Sequence, residues 1–286
     1  MIAKKRQAIL PPKISISSRP GMFINTMPCI LDNQYAGVKV INRYPERKHS
    51  LDGELLLIDN MSGEFLALMD ANWITAMRTG AVAAHSILLF AKKDFNNIGI
   101  IGLGNTARAT LLILASVLQD KVVKIKLLKY KNQEQSFCGR FKGYDKFKFE
   151  FVDTYEEVVK GSDVIISCAT YFENDICSDE CFDEGVLVVP VHTRGFTNCD
   201  LFFDKVYADD YGHVCNFINF DKFKAFAEVS DVVNGLYEGR RNDKERIIVY
   251  NIGLSIHDVN FAGHIYELVS DAQDIKMNVP EDKFWI

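Results

Sequence analysis

Gly102-Leu103-Gly104-Asn105-Thr106-Ala107 is the stretch whose residue types and spacing most directly imply chemistry. Two glycines one residue apart permit a tight turn and let the backbone approach a pyrophosphate. The small Ala107 then lets a following helix pack closely on its strand. The free N–H groups of Asn105, Thr106 and Ala107 would meet the anion with the positive end of the helix dipole behind them. Other groups stand where chemistry is possible: Lys39 between Val38 and Val40, Arg78 within an apolar helical pattern, and His192 and Arg194 just past an apolar run. His49, His85, His213 and His264 form no pair at metal-binding spacing with an added carboxylate, so no catalytic metal is expected.

The elements that must position these groups follow from periodicity. The apolar run at residues 98–101 reads as a buried parallel strand, and Leu111, Leu112, Ala115 and Leu118 give helical spacing after the turn. Further strands are expected at 123–128, 146–152, 163–168, 186–191, 205–208 and 247–250, with a short helix at 154–160. Alternating strands and helices imply a doubly wound parallel sheet with ligands at the carboxyl ends of its strands. The first ninety residues differ: 38–41 and 54–59 read as strands, and Asn60-Met61-Ser62-Gly63 as a hairpin turn before 64–68. Asp70 or Asn72 would cap a long helix with an apolar stripe at Ile74, Met77, Ala81, Ala84 and Leu88. Residues 254–272 are again helical and return to the first region. The expected fold is α/β, a Rossmann-type doubly wound sheet (93–253) inserted in a discontinuous α+β substrate and dimerisation domain (1–92 plus 254–286).

Composition narrows the partners. The 286 residues carry 33 basic against 38 acidic side chains, a net charge of −5, which argues against broad nucleic-acid binding. The basic N-terminus, residues 1–13, lacks the apolar core of a signal peptide. No apolar run reaches the roughly 20 residues needed to cross a bilayer, so no membrane partner is expected. Seven scattered cysteines without a C-x-x-C pair read as reduced thiols of a cytoplasmic protein.

Met69-Asp70-Ala71-Asn72-Trp73-Ile74-Thr75-Ala76-Met77-Arg78-Thr79-Gly80-Ala81 resembles the M-D-x-x-x-I-T-A-x-R-T-A-A segment of the ornithine cyclodeaminase/mu-crystallin family. The spacing from Arg78 to Gly102 fits, as do Pro12-Lys13, Met27-Pro28, Val38-Lys39-Val40 and Asn251-Ile252-Gly253-Leu254-Ser255-Ile256-His257-Asp258. The resemblance covers nearly the whole chain. It implies a homodimer acting on a small amino-acid-like substrate with a nicotinamide cofactor. By the same resemblance, Arg78 grips the substrate carboxylate, for which a planar guanidinium offers a bidentate fork. Lys39 reaches the reacting carbon, where a desolvated amine serves as acid or base. Lys13 stands where relatives carry an arginine for the carboxylate, keeping the charge without the fork. Asp258 matches an acid on the nicotinamide side.

Two departures bear on specificity. Ornithine cyclodeaminases place an aspartate just beyond the strand at 186–191, whereas this chain reads His192-Thr193-Arg194-Gly195. That reversal of charge would repel a second ammonium and accept an anionic group, with His192 a candidate proton donor; hydrogen bonding alone is the ordinary use of a histidine there. At the end of the second nucleotide-domain strand stand Lys129 and Lys131, with no acid before Glu134, which suits a 2′-phosphate and favours NADP(H) within NAD(P)(H). Cys168, Ala169 and Thr170 form the small-residue loop that lines the cofactor in such folds. The leading expectation is an NAD(P)(H)-dependent oxidoreductase acting on an α-amino acid, its imine or a cyclic ketimine. The alternatives are a cyclodeaminase-type lyase that recycles NAD, and a nucleotide-binding protein with little catalysis.

Overall fold

Alternation in the first seventy residues produces an antiparallel sheet, β1 (Ile14–Ile16), β2 (Phe23–Ile30), β3 (Tyr35–Arg43), β4 (Leu51–Asp59) and β5 (Phe65–Asp70), in that spatial order. The computed structural model describes residues 1–169, 172–192 and 195–275. Successive side chains of a strand face opposite ways, so Gly37, Lys39 and Ile41 of β3 share the buried face while Val38 and Val40 take the other. The β4–β5 turn closes as expected: Asp59 Oδ1 accepts from the N–H groups of Met61 and Ser62, and Gly63 adopts φ +78°.

Helix α1 (Asn72–Phe90) then leads into eight strands, each paired in parallel. Along the chain come β6 (Asn97–Ile101), α2 (Asn105–Val117), β7 (Val123–Leu128), α3 (Gln133–Gly139), β8 (Phe147–Val152), α4 (Tyr155–Val159), β9 (Val164–Ser167) and β10 (Leu187–Pro190). There follow α5 (Cys199–Phe202), β11 (Lys205–Ala208), α6 (Tyr211–Val214), β12 (Phe226–Glu228), α7 (Val229–Val233), β13 (Ile247–Tyr250) and α8 (Ser255–Leu268). The strand order is β12-β11-β13-β10-β9-β6-β7-β8, so the chain crosses back at β6, the strand that precedes the glycine turn. Its central strands β9, β10 and β13 are buried on both faces, which is why they read as continuous apolar runs, whereas β7 and β8 toward one edge alternate and expose lysines. Ile98, Ile100, Val164 and Ile166 join one core; Ile165, Val188 and Ile248 join the other.

Helix α1 ties the two sheets together. Ile74 near its start packs with Leu55 and Leu57 of the antiparallel sheet, while Ala83, Ala84, Ile87 and Phe90 join the core of the parallel one. It crosses α2 closely enough that a Cβ on Gly80 would lie 2.6 Å from the Ala109 Cβ. Helix α8 covers the buried face of the antiparallel sheet, with Ile256, Val259 and Ala262 in its core. Gly37 permits this approach, since a Cβ there would stand 3.2 Å from Val259 Cγ2 of α8, besides meeting the Leu56 carbonyl of β4 at 2.8 Å.

Local expectations fail in four places. Neither Asp70 nor Asn72 occupies the N-cap of α1: Ala71 does, with no side-chain cap, and Asp70 ends β5 while Oδ1 accepts from the Asn72 N–H. Leu88 is exposed, because the buried face runs through Ser86 and Ile87; Ser86 reaches inward to donate to Asn251 Oδ1 at 3.1 Å. Leu112 is likewise exposed on α2, and α8 ends at Leu268.

Candidate active site

The glycine turn is a backbone device. Gly102 sits at φ +83°, and a Cβ there would lie 2.6 Å from the Ala169 nitrogen and 2.7 Å from the Cys168 carbonyl carbon. A left-handed residue pressed on a neighbouring loop must be glycine. Gly104 differs, with φ −78° and nothing within 4 Å of where its Cβ would stand. It forms the N-cap of α2, which has no side-chain cap, so the opening N–H groups of that helix, Asn105, Thr106 and Ala107, face the turn. Ala107 is buried against the sheet, as its place in the pattern requires. Burial raises the Cys168 thiol to about 12, which leaves it an inert lining group.

A charged cluster forms between the antiparallel sheet, α1 and α8. Lys39 is fully buried on β3, and its Nζ donates to Asp258 Oδ1 at 2.7 Å and Thr75 Oγ1 at 3.3 Å. Arg78 Nε lies 3.0 Å from the same Oδ1, a charge contact without hydrogen-bond alignment. Asp258 Oδ2 is buried and accepts nothing. The Arg78 guanidinium rests on Gly253 (φ +110°), where a Cβ would stand 2.5 Å from Nη1. Among the described residues no hydrogen bond uses Nη1 or Nη2. Burial, reinforced by Arg78 and opposed by Asp258, lowers Lys39 to about 8.

Past Gly253 lies a second group that the sequence did not single out. Its N–H donates to Asp209 Oδ2 at the end of β11, and Asp209 Oδ1 stands 3.0 Å from His213 Nδ1 on α6. Burial alone would raise Asp209, yet His213, the Gly253 N–H and Lys13 together hold it below the ordinary carboxylate range. Lys13 is lowered by burial and by Arg78, against the pull of Asp209, which puts all three in one field. His257, beside Asp258 on α8, is lowered to about 4 by burial and Arg78, so its ring is neutral. A visible signal for Asp209 was its place at the carboxyl end of a strand, with a histidine four residues on.

The remaining candidates separate from this cluster. His192 Nε2 is 2.6 Å from Ser167 Oγ, and the ring packs by Phe172 and Phe196. Lys129 Nζ is held by both oxygens of Asp153, at 2.9 and 3.0 Å, and Lys131 lies over the Tyr130 ring. Asp153 comes from the end of the neighbouring strand, so an acid does stand beside the end of β7. Thr170 and Arg194 lie outside the described residues.

A glycine turn at the crossover of a parallel sheet, joined by α1 to an antiparallel sheet against which β3, α1 and α8 bury a lysine, an arginine and an aspartate, defines a Rossmann-type α/β architecture with a second, antiparallel region. The profile of the ornithine cyclodeaminase/mu-crystallin family matches residues 3–273, and the chain belongs to that family. Nodulation efficiency protein NfeD of Rhizobium meliloti is 28% identical over 270 residues, covering 90% of this chain and 83% of its own. A Delta(1)-pyrroline-2-carboxylate reductase of Bacillus cereus is 27% identical over 265 residues, 84% of this chain and 80% of its own. Among solved structures, the Thermococcus litoralis Delta(1)-pyrroline-2-carboxylate reductase in complex with NADH and L-proline superposes with a TM-score of 0.79. It is 26% identical and covers 93% of this chain and 88% of that one.

Proposed function

We propose that this protein is an NAD(P)(H)-dependent oxidoreductase that interconverts an α-amino acid with its imine or a cyclic ketimine. The observation that carries the reading is the fully buried Lys39, sharing Asp258 with an arginine whose terminal nitrogens make no hydrogen bond among the described residues. Lys39 and Arg78 against Asp258 leave one positive charge in a desolvated place, which a single substrate carboxylate would balance. Arg78 orients that carboxylate. Lys39, with its amine brought close to neutrality, takes the proton that leaves the substrate nitrogen on oxidation and returns it on reduction. Asp258 holds Lys39 and Arg78 at fixed positions. The nicotinamide supplies the hydride acceptor or donor when bound.

The residues at the glycine turn fit a dinucleotide: Gly104 leaves open space where a side chain would stand, and α2 begins without a cap. Gly102, Gly104, Asn105, Thr106 and Ala107 would hold the pyrophosphate, with Cys168 and Ala169 behind it. Lys129 and Lys131 favour a 2′-phosphate, although Lys129 must give up part of its contact with Asp153 to meet one.

The reading divides the chain into a nucleotide domain, 93–253, and a substrate domain, 1–92 with 254–286. It also pairs two copies. Ile30, Val40 and Leu68 are exposed on the face of the antiparallel sheet that α8 leaves bare, an apolar surface suited to a second copy in an isologous dimer. Seven unpaired cysteines accord with a reducing cytoplasm.

The test is a panel of cyclic imino acids, of keto acids with ammonia, and of ornithine, followed by nicotinamide absorbance and ammonia release. Stoichiometric oxidation of NAD(P)H by a cyclic imine or by a keto acid with ammonia is expected. Conversion of ornithine to proline and ammonia without net reductant would overturn the reading in favour of the lyase.

A further inference from the structure

The N-terminal segment is tied to both sheets within a few residues. Residues Ile2–Gln7 form a short 3-10 helix whose Lys5 and Arg6 reach the edge of the parallel sheet. Lys5 Nζ stands 2.7 Å from Asp210 Oδ2 and 2.6 Å from Glu228 Oε2, and Arg6 Nη2 donates to Asp231 Oδ1 at 2.6 Å. Asn234 Nδ2 donates to the Ala3 carbonyl at 3.1 Å. Just past this helix, Ile9 and Ile30 exchange both backbone hydrogen bonds, each at 2.9 Å, which joins the segment to the end of β2. The chain then runs on into β1, which pairs with β2, so this far end belongs to the antiparallel sheet.

The parallel-sheet region fixes a socket for Lys5. Asp210 Oδ1 accepts from the Gly212 N–H as the N-cap of α6, and Glu228 Oε1 accepts from the Tyr211 N–H. Backbone thus orients each carboxylate, with its other oxygen turned to Lys5. Lys5 is buried, so removing its ammonium would leave two carboxylates without their shared counter-charge. Asp210 lies just past β11 and Glu228 ends β12, which puts the socket at the carboxyl end of the parallel strands, the same end as the Gly102 turn. Between the anchors and β1, Pro12 lies along α6, where a Cβ on Gly212 would stand 2.6 Å from its ring.

Little slack separates the anchors. Ala8 is already extended, at φ −85° and ψ 155°. A 3-10 helix rises about 2.0 Å per residue against about 3.3 Å when extended, so unwinding residues 5–7 would gain only about 4 Å. Elsewhere the chain passes between the two sheets at 91–96 and at 251–254. The Lys5 anchor adds a noncovalent tie at the β12 edge, two strands out from β13. Parting the two regions by more than the slack must therefore break an anchor, and the one made of side chains is at Lys5.

We propose that residues 2–13 are a strap across the seam between the two regions, latched by Lys5 in the Asp210–Glu228 socket, and that the latch must open for a bound dinucleotide to leave. This rests on the reading above, which seats the dinucleotide at the glycine turn and brings its nicotinamide to Lys39 and Arg78 in the other region. A ligand spanning the seam leaves when the regions part, and such opening steps commonly set release rates. Lys5 is a positioning residue: it touches neither substrate nor cofactor and acts by holding the regions together.

The experiment measures release of NADH and of NADPH from loaded protein by stopped-flow nicotinamide fluorescence, with excess NAD(P)⁺ as the chase. Lys5→Met should speed release about tenfold, the effect expected of losing a charge-assisted contact, and Lys5→Arg should restore slow release. Phe147→Leu, in the core at the amino end of β8, lowers stability without touching the strap and should leave release at the wild-type rate. In the wild type, the Ile9 and Ile30 amides should gain protection from hydrogen exchange when NAD(P)H saturates the protein, a readout that stands even if Lys5→Met does not fold. A folded Lys5→Met with wild-type release, equal acceleration in Phe147→Leu, or unchanged protection at Ile9 and Ile30 would overturn the latch while leaving the oxidoreductase reading in place. If the wild type binds neither NADH nor NADPH, that reading falls and takes the latch with it.

Discussion

The two halves of the candidate site are made of opposite materials. At the nucleotide end, backbone does the work: a left-handed Gly102, an open Gly104 and an uncapped helix start within a few residues of one another. At the substrate end, side chains do it, drawn from β3, α1, α6, α8 and the N-terminal segment, and buried where every unpaired charge is expensive. The first arrangement is cheap to build and tolerant of its surroundings. The second is held by mutual charge balance, so a single neutralising substitution should propagate to its neighbours.

Asp258→Asn tests that difference most severely. It removes the anion shared by Lys39 and Arg78 and leaves buried cations uncompensated, which should destabilise the protein by about 3–5 kcal/mol in denaturant unfolding. A loss within ordinary surface-mutation scatter would mean the cluster is not held by charge balance. At the other end, Gly102→Ala should cost about 1–3 kcal/mol from its backbone conformation, and more from the clash with Ala169. Gly104→Val meets nothing in the protein, so its melting temperature should stay near wild type while dinucleotide affinity is lost. A folded Gly104→Val that still binds NAD(P)(H) would remove the turn from the cofactor site.

Lys39 sharpens the comparison through pH. Its folded value near 8 lies below the roughly 10.4 of an unfolded lysine. Between those values the unfolded chain binds more protons, so the Lys39 contribution to stability rises with pH across that window and is least below about 8. Subtracting the Lys39→Met profile from wild type should isolate this rise; a flat difference contradicts the burial effect. Activity should divide in the same region, with amino-acid oxidation gaining above about pH 8, where Lys39 is a free amine, and imine reduction gaining below it. The smallest effect is expected at the surface, where replacing Lys129 and Lys131 with serine should weaken NADP(H) more than NAD(H). Equal losses would show that Asp153 keeps Lys129 from the ribose.

The sequence was legible where structure is local. Gly102 to Ala107 could be read directly because turn geometry and helix start are encoded by adjacent residues. Alternation around Val38 and Val40 put Lys39 on the opposite face, though only the resemblance gave it a role. The Asp209–His213 pair escaped notice because its meaning depends on Gly253 and Lys13, which are distant in sequence. Asp153 was missed beside Lys129 for the same reason: adjacent strands, not adjacent residues, bring them together. The misplaced stripe on α1 shows the limit of apolar counting, since buried Ser86 is satisfied by Asn251 from another element.

The central claim is that hydride passes between nicotinamide and a carbon whose carboxylate Arg78 holds within reach of Lys39. NADH deuterated on either face of nicotinamide C4, supplied with an accepted imine and followed by mass spectrometry of the amino-acid product, tests it most directly. The account predicts deuterium at the α-carbon from one face only, with product formation suppressed in Arg78→Lys and Lys39→Met. Product formed from ornithine while the labelled cofactor is returned unconsumed, or product free of deuterium from both labelled faces, would contradict it.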